Sequence, residues 1–166
     1  MNFKYSYTKY KNLQTENVKF GTTKEASWID VLRQTYPNIK TSNTEKKEID
    51  YSTFDATATK NGQKFNFELK TRKDINHNTF PSIYIGLNKL KEAKKQLENG
   101  VRTIFFWDCV DGLYHWEITN ENKEDGSWFF NDDGKEYFIG EGGNSKIGQT
   151  PQPVAYIWKD YLKKYN

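Results

Sequence analysis

The dipeptide Asn61-Gly62 is the feature that most restricts how this chain can fold. Asn-Gly between two alternating segments favours a two-residue type I′ turn, because both central residues of that turn need a positive φ angle. With these residues as the turn, Lys60 pairs with Gln63 and the register of the whole hairpin is set. The segment 51–73 is therefore predicted to form two antiparallel strands.

Side chains alternate between the two faces of a strand, so this register assigns each residue to a face. One face is apolar and is expected to point to the core; it carries Phe54, Ala56, Ala58, Phe65, Phe67 and Leu69. The other face is polar and carries Asp55, Thr57, Thr59, Lys64, Asn66, Glu68 and Lys70. On the polar face, Asp55 is predicted to lie directly opposite Glu68.

Two carboxylates directly opposite each other repel, at a cost of a few tenths of a kcal/mol or more, so a neutralising group is expected. Mg²⁺ suits this position, because it binds oxygen ligands and typically uses one or two carboxylates. Lys70, two residues beyond Glu68 on the same face, would lie beside the ion and could position a bound water. The alternative is an ordinary charged hairpin face in which Lys64 and Lys70 pair with Asp55 and Glu68.

The remaining pattern predicts helices before and after the hairpin. Thr22 and Glu25 have capping-box spacing at the start of a helix that Pro37 should end. A second helix is predicted in "LNKLKEAKKQLENG", with Gly100 as its stop signal. Aromatic strands follow in "VRTIFFW", "LYHWEIT", "SWFFN" and "EYFIG", and "VAYIWKDYLKKY" reads as a strand, a helix or both. The chain is predicted to be a single domain, 1–166, of the α/β class, with a mixed central β-sheet flanked by helices.

Composition and charge exclude several classes of function. The longest apolar runs are too short to span a bilayer and the N-terminus lacks the apolar core of a signal peptide, so a soluble, cytoplasmic protein is expected. A single cysteine, Cys109, excludes an intramolecular disulfide and a multi-cysteine zinc site. No glycine-rich phosphate loop is present, which argues against a nucleotide cofactor. The segment 60–102 holds ten Lys and Arg against four Asp and Glu, and such a basic face suits a polyanion.

The acidic residues of the hairpin and the lysine after them match the motif of a known protein superfamily. Asp55, followed on the next strand by Glu68-Leu69-Lys70 and preceded by a helix containing Glu25, resembles the PD-(D/E)XK superfamily of restriction-endonuclease-like nucleases. The resemblance covers the segment 21–119, which would have the restriction-endonuclease-like core. Asp/Glu-x-Lys occurs five times in the chain, but only Glu68-Leu69-Lys70 has a predicted partner strand with an acid opposite. The family's proline before the first acid is replaced by Phe54. A further similarity to small phage-type nuclease domains rests on "FPSIYIGLNKLKEA".

The resemblance implies that Asp55 and Glu68 bind Mg²⁺, or Mn²⁺ in its place, with the carbonyl of Leu69 as a further ligand. It implies that Lys70 assists the attacking water and that Glu25 contributes from the first helix. Glu25 has an alternative role, because in a capping box it would bond to the backbone of Thr22 instead.

The implied function is that of a Mg²⁺-dependent DNA nuclease, in the host cytoplasm if the protein is encoded by a phage, and a homodimer is a further expectation by analogy. Candidate contacts to the DNA backbone are Lys64, Arg72, Lys73, His77 and Lys89, each of which could also be a solvated surface residue. The alternative function is a catalytically inactive DNA- or protein-binding module on the same fold. The sequence leaves open endo- or exonuclease action, the choice between DNA and RNA, sequence or structure specificity, and the role of the acidic segment 108–141.

Overall fold

The structure is a computed structural model that describes residues 27–41, 54–119, 137–141 and 153–165. The chain divides into two compact units, Met1–Ile39 and Lys40–Asn166. The prediction of one domain over 1–166 is not decided by this division and stays a prediction.

In the first unit, helix α1 is described over residues 27–33. Trp28, Ile29 and Leu32 are buried at helical spacing, as in an amphipathic helix. The helix ends at Arg33. Its predicted start, with Thr22 and Glu25, lies outside the described residues.

The second unit contains two β-sheets, one α-helix and one 3₁₀ helix. Their bounds in chain order are β1 Lys40–Thr41, β2 Ala56–Lys60, β3 Gln63–Arg72, β4 Ser82–Gly86, α2 Leu87–Glu98, β5 Val101–Cys109, β6 Gly112–Glu117, β7 Tyr137–Glu141, β8 Pro153–Trp158, the 3₁₀ helix Lys159–Tyr161 and β9 Lys163–Tyr165. The main sheet has the order β1-β2-β3-β5-β6-β9, and the small sheet has the order β4-β8-β7. Strands β3 and β5 are parallel and the other neighbours are antiparallel. The predicted class, α/β with a mixed central sheet, is confirmed.

The predicted hairpin is β2 and β3. Its turn residues Asn61 and Gly62 have φ angles of 51° and 77°, as a type I′ turn requires. Lys60 pairs with Gln63, and the register continues to the pair of Ala56 and Phe67. The predicted register is therefore confirmed throughout the ladder.

Both faces of the main sheet are covered near its centre. On the face that carries Glu68, helix α2 and the small sheet pack against aromatic residues of β5, and the buried cluster includes Leu90, Phe105, Trp107 and Ile157. On the opposite face, Phe65, Phe67, Leu69 and Phe106 are also buried. The apolar face of the hairpin from Ala56 to Leu69 is thus in the core, as predicted. On the polar face, Thr57, Thr59 and Lys64 are exposed, whereas Glu68 is buried.

Two local predictions were wrong. Phe54 was assigned to the face of Phe67, yet it packs edge-to-face on Phe105, with ring centroids 6.5 Å apart. Phe105 pairs with Glu68 in the parallel ladder and so shares its face. Because β2 begins at Ala56, the strand alternation does not extend back to Phe54. Strand β4 was also missed, because its five residues run directly into α2.

The later strands agree with the patterns that predicted them. Strands β5, β6 and β7 lie in the predicted aromatic segments, while "SWFFN" lies outside the described residues. The closing segment contains both possibilities left open, a strand followed by a short helix. Within the described residues, no helix has both the length and the apolar character that crossing a bilayer requires.

Candidate active site

Asp55 lies at the end of the hairpin ladder, in a bend directly before β2. Its Oδ2 accepts a hydrogen bond of 2.8 Å from the backbone N–H of Leu69. Strand β2 has no residue left to pair there, so the carboxylate takes the place of a strand partner. Asp55 was predicted to pair across the ladder with Glu68; it lies instead just beyond the last paired residues, Ala56 and Phe67.

Glu68 is the buried acid of the site, with a side chain only 3% exposed. It projects from the middle of β3 toward the aromatic cluster under α2. Burial, and after it the negative charge of Asp55, raises the pKa of Glu68 above its ordinary value. The ionised carboxylate is therefore costly in the folded protein, which makes it a candidate for binding a cation.

Two lysines share the carboxylate of Glu68. The Nζ of Lys70 lies 3.3 Å from Oε1, and the Nζ of Lys89 lies 3.4 Å from Oε2. Both charges lower the pKa of Glu68, but they do not outweigh burial and Asp55. Oε2 is buried and has no hydrogen-bond partner, so its contact with Lys89 is an ion pair without hydrogen-bond geometry.

The position of Lys89 differs from the solvated surface position that the sequence left open for it. Lys89 is the third residue of the helix, and its ammonium lies 5.3 Å from the centroid of the Phe54 ring. Strand β4 brings the start of α2 over the sheet face that carries Glu68. A strand predicted in the segment directly before α2 would have indicated that the start of this helix, with Lys89, packs on the sheet.

The oxygen atoms at this edge suit a hard divalent cation such as Mg²⁺. Asp55 and Glu68 supply carboxylates, and the unpartnered Oε2 of Glu68 is a buried acceptor that a cation would satisfy. The N–H and C=O of a strand residue point to the same side, so the carbonyl of Leu69 faces the edge that Asp55 occupies. The donor set fits the metal. Across the described residues, no group of three or more His, Cys, Asp or Glu side chains could hold an ion, and Glu25 lies outside them.

The five residues predicted to contact nucleic acid do not form one cluster. Lys64 is exposed near the turn, whereas Arg72 and Lys73 lie at the far end of β3, with the guanidinium of Arg72 4.8 Å from the centroid of the Tyr84 ring. Four residues of a strand span about 13 Å, so Lys64 and Arg72, each four residues from Glu68, lie about that far from it along β3. Lys89 is the member of the set that reaches Glu68.

His77 belongs to a separate group in the loop after β3. Its Nδ1 lies 2.5 Å from Oδ2 of Asp111, and its backbone N–H donates to Oδ1 of the same carboxylate at 2.9 Å. Its ring stacks on Tyr114 at 4.1 Å. Burial opposes ionisation of Asp111, but the hydrogen bonds from His77 outweigh it and lower the pKa of Asp111. These contacts hold the loop against the turn between β5 and β6.

Cys109 is a free cysteine and is buried. Burial, followed by the charge of Asp111, raises the pKa of the thiol to about 11. A thiol in that state is not a nucleophile near neutral pH.

Comparisons with known proteins leave the family open. No family model matches the chain, and no curated protein matches it. Among solved structures, the chain is similar to the 1.6 Å structure of Archaeoglobus fulgidus Hjc, described as a Holliday junction resolvase from an archaeal hyperthermophile. The identity is 8%, the match covers 80% of this chain and 86% of that chain, and the TM-score is 0.44.

Proposed function

We propose that the protein is a Mg²⁺-dependent DNA nuclease of the PD-(D/E)XK type, with a restriction-endonuclease-like core. The observation that carries the proposal is the buried Glu68, whose carboxylate lies beside Asp55 and within 3.3 Å of Lys70 at the edge of the hairpin. A chain gains nothing in stability from placing two acids together in a buried region, so a functional ligand is the simplest reason for the arrangement.

Asp55, Glu68 and the carbonyl of Leu69 would hold the ion. When bound, Mg²⁺ or Mn²⁺ supplies Lewis acidity and lowers the pKa of a coordinated water. Lys70 has a side chain that is 37% exposed, so it can meet both Glu68 and an incoming substrate. Its ammonium would position the attacking water and stabilise the negative charge that develops on the phosphate. Glu25 is proposed as a further contributor from the first helix.

DNA is the proposed partner because the resemblance implies it, and the basic residues of β3, together with Lys89 at the start of α2, support a polyanionic ligand. Lys64, Arg72 and Lys73 are proposed to contact the backbone on either side of the scissile phosphate, with His77 supporting the loop beyond them. Backbone contacts of this kind contribute affinity that falls with salt. A single domain over 1–166, a cytoplasmic location and a homodimer remain part of the proposal.

A second candidate function is a catalytically inactive DNA- or protein-binding module. One observation favours it: Lys70 and Lys89 already lie on the two oxygens of Glu68. Two ammonium groups compensate much of the repulsion from Asp55, so the carboxylates can be kept together without a metal ion. The two candidates therefore differ in whether a divalent cation binds.

Cleavage of circular single- and double-stranded DNA in Mg²⁺ or Mn²⁺ tests the proposal. The wild-type protein is expected to cut in either ion and to lose activity by at least about 10²-fold in Lys70→Met and Glu68→Gln, because each removes a group that acts in the transition state. Lys95→Met, an exposed lysine of α2, is the matched control and should cut as the wild type does.

Metal binding measured by calorimetry on the same proteins separates the two candidates. The binding module would be established by a wild-type protein that binds DNA, does not cut it in any form, and binds neither Mg²⁺ nor Mn²⁺. Cutting that survives in Glu68→Gln would show that the active site lies elsewhere.

A further inference from the structure

Lys89 occupies the buried oxygen of Glu68 that a metal ion would also use. Its side chain is 17% exposed, and its Nζ lies 3.4 Å from Oε2 of Glu68 and 5.3 Å from the centroid of the Phe54 ring. The Asp55, Glu68 and Lys70 motif does not include a second lysine, and Lys70 already contacts the other oxygen of Glu68, Oε1.

We propose that Lys89 holds Glu68 only in the metal-free protein, and that it transfers to a phosphate of bound DNA once a divalent cation occupies the carboxylate. The inference rests on the proposed function. It adds a role for Lys89 as the residue that couples metal binding to substrate binding.

The electrostatics of Glu68 require an exchange of this kind. A carboxylate has two oxygens, and here an ammonium lies on each of them. Like charges a few ångströms apart repel strongly in a buried site, where water does not screen them. A divalent cation at Glu68 and an ammonium at the same oxygen therefore cannot both be held at full strength.

Lys89 is the lysine expected to leave. Its contact with Oε2 lacks hydrogen-bond geometry, because Oε2 has no hydrogen-bond partner, whereas a side-chain hydrogen bond from Lys70 acts on Glu68. The long, flexible lysine side chain can move its ammonium by several ångströms without moving the helix. The Phe54 ring supports the ammonium in the metal-free state through a cation–π contact.

A phosphate oxygen is the ligand that fits Lys89 after this move. The substrate of a nuclease brings a phosphate to the metal site, and a lysine ammonium binds such an oxygen as a point charge. Metal binding would then increase the affinity for DNA by more than the charge of the ion alone, and DNA would increase the affinity for the metal by the same factor.

The first test measures metal affinity in the absence of DNA. Mn²⁺ and Ca²⁺ are titrated by calorimetry into the wild type, Lys89→Met and Lys95→Met, at one mildly alkaline pH for all three proteins. Lys89→Met retains the length of the side chain and its packing on Phe54, and it is expected to bind the ions about threefold to tenfold more tightly because the competing charge is gone. Lys95→Met, at an exposed position of the same helix, should bind as the wild type does. Unchanged or weaker binding in Lys89→Met would overturn the inference.

The second test measures DNA affinity with and without Ca²⁺, with a gel to check that the DNA stays intact. Lys89→Met should weaken binding of labelled single- or double-stranded DNA in Ca²⁺ and leave it unchanged in a chelator, where Lys89 is held by Glu68. Lys89→Arg keeps the charge and should retain most of the effect of Ca²⁺. A loss of affinity of the same factor in both conditions would show that Lys89 is a simple backbone contact.

These outcomes separate the inference from the proposed function. If the wild type binds neither Mn²⁺ nor Ca²⁺, the metal site itself is wrong and the inference fails with it. If the wild type binds both ions and Lys89→Met behaves like Lys95→Met, the inference fails and the proposed nuclease site stands.

Discussion

At the scale of single residues, Glu68 is the centre of the electrostatic contacts in the candidate site. It is buried, it lies beside a second carboxylate, and two lysines only partly compensate its charge. An acid in such surroundings makes the folded state less stable when ionised and becomes useful only when a cation binds to it.

Glu68→Gln is therefore expected to stabilise the metal-free protein at neutral pH. Because the pKa of Glu68 is raised in the folded state, its contribution to stability is fully present below the ordinary value of 4.5 and is lost as pH rises through the raised pKa. Glutamine cannot ionise, so the difference between variant and wild type should be smallest in acid and grow toward neutral pH. A gain of about 1 kcal/mol would raise Tm by about 2–4 °C in a chain of this size.

Thermal unfolding across this pH range in a chelator, repeated with Mg²⁺, measures the effect. Mg²⁺ should raise the Tm of the wild type and leave that of Glu68→Gln unchanged. Glu98→Gln, at the exposed end of α2, serves as the control for loss of one negative charge. A lower Tm of Glu68→Gln at neutral pH in the chelator would mean that the two lysine pairs outweigh burial.

At the scale of elements, the hairpin of β2 and β3 positions Asp55, Glu68 and Lys70. The type I′ turn sets the register, and the register places Glu68 and Lys70 on one face. It also directs the backbone N–H of Leu69 toward Asp55, whose carboxylate accepts a hydrogen bond from it. Because a register shift by one residue would exchange the two faces, the turn acts on the site from a distance of several residues.

Gly62→Ala tests this dependence. Gly62 has φ = +77° and no atom within 4 Å of where a Cβ would stand, so the cost of alanine is conformational rather than steric contact with a neighbour. The free energy of unfolding should fall by about 1–2 kcal/mol. Asn61→Gly, which allows the same positive φ, is the control and should change stability by only a few tenths of a kcal/mol. Denaturant unfolding measures both, and equal stability of Gly62→Ala and wild type would mean that the turn is not of type I′ in solution.

The candidate site could be predicted only in part, and individual residues show why. Asp55, Glu68 and Lys70 were found from the local pattern, because strand alternation is a property of neighbouring residues. The burial of Glu68 and its contact with Lys89 could not be found in this way, because they depend on α2 packing over the sheet after the missed strand β4. The pairing of Asp55 across the ladder was predicted wrongly, because strand ends are not specified by alternation.

At the scale of the whole molecule, charge is distributed unevenly along the sequence. The segment 60–102 is basic and the segment 108–141 holds ten Asp and Glu against two Lys and Arg. In the described structure, the basic residues of β3 are spread over its length rather than gathered at one point. Such a distribution suits a ligand that is itself extended and regularly charged.

Salt dependence of DNA affinity tests whether these charges act on the backbone. In the double variant Arg72→Gln, Lys73→Gln, the slope of log K against log salt should become shallower by about 0.9 for each duplex phosphate contact that is lost. Lys163→Gln, in strand β9, removes a charge at the opposite edge of the sheet and should leave the slope unchanged. Fluorescence anisotropy at several salt concentrations measures the slopes, and an unchanged slope in the double variant would exclude both residues from the DNA interface.

The sequence by itself determined the hairpin, its register and the apolar face from Ala56 to Leu69, because turn conformation and strand alternation depend on residues close together in the chain. It also determined the class of the fold through the order of its helices and strands. Only the tertiary structure decided that Glu68 is buried, that Asp55 takes the place of a strand partner beside Leu69, and that Lys89 contacts Glu68. These features come from the crossover between β3 and β5, which brings a distant helix over the sheet, and no local pattern of residues specifies where such a helix will pack.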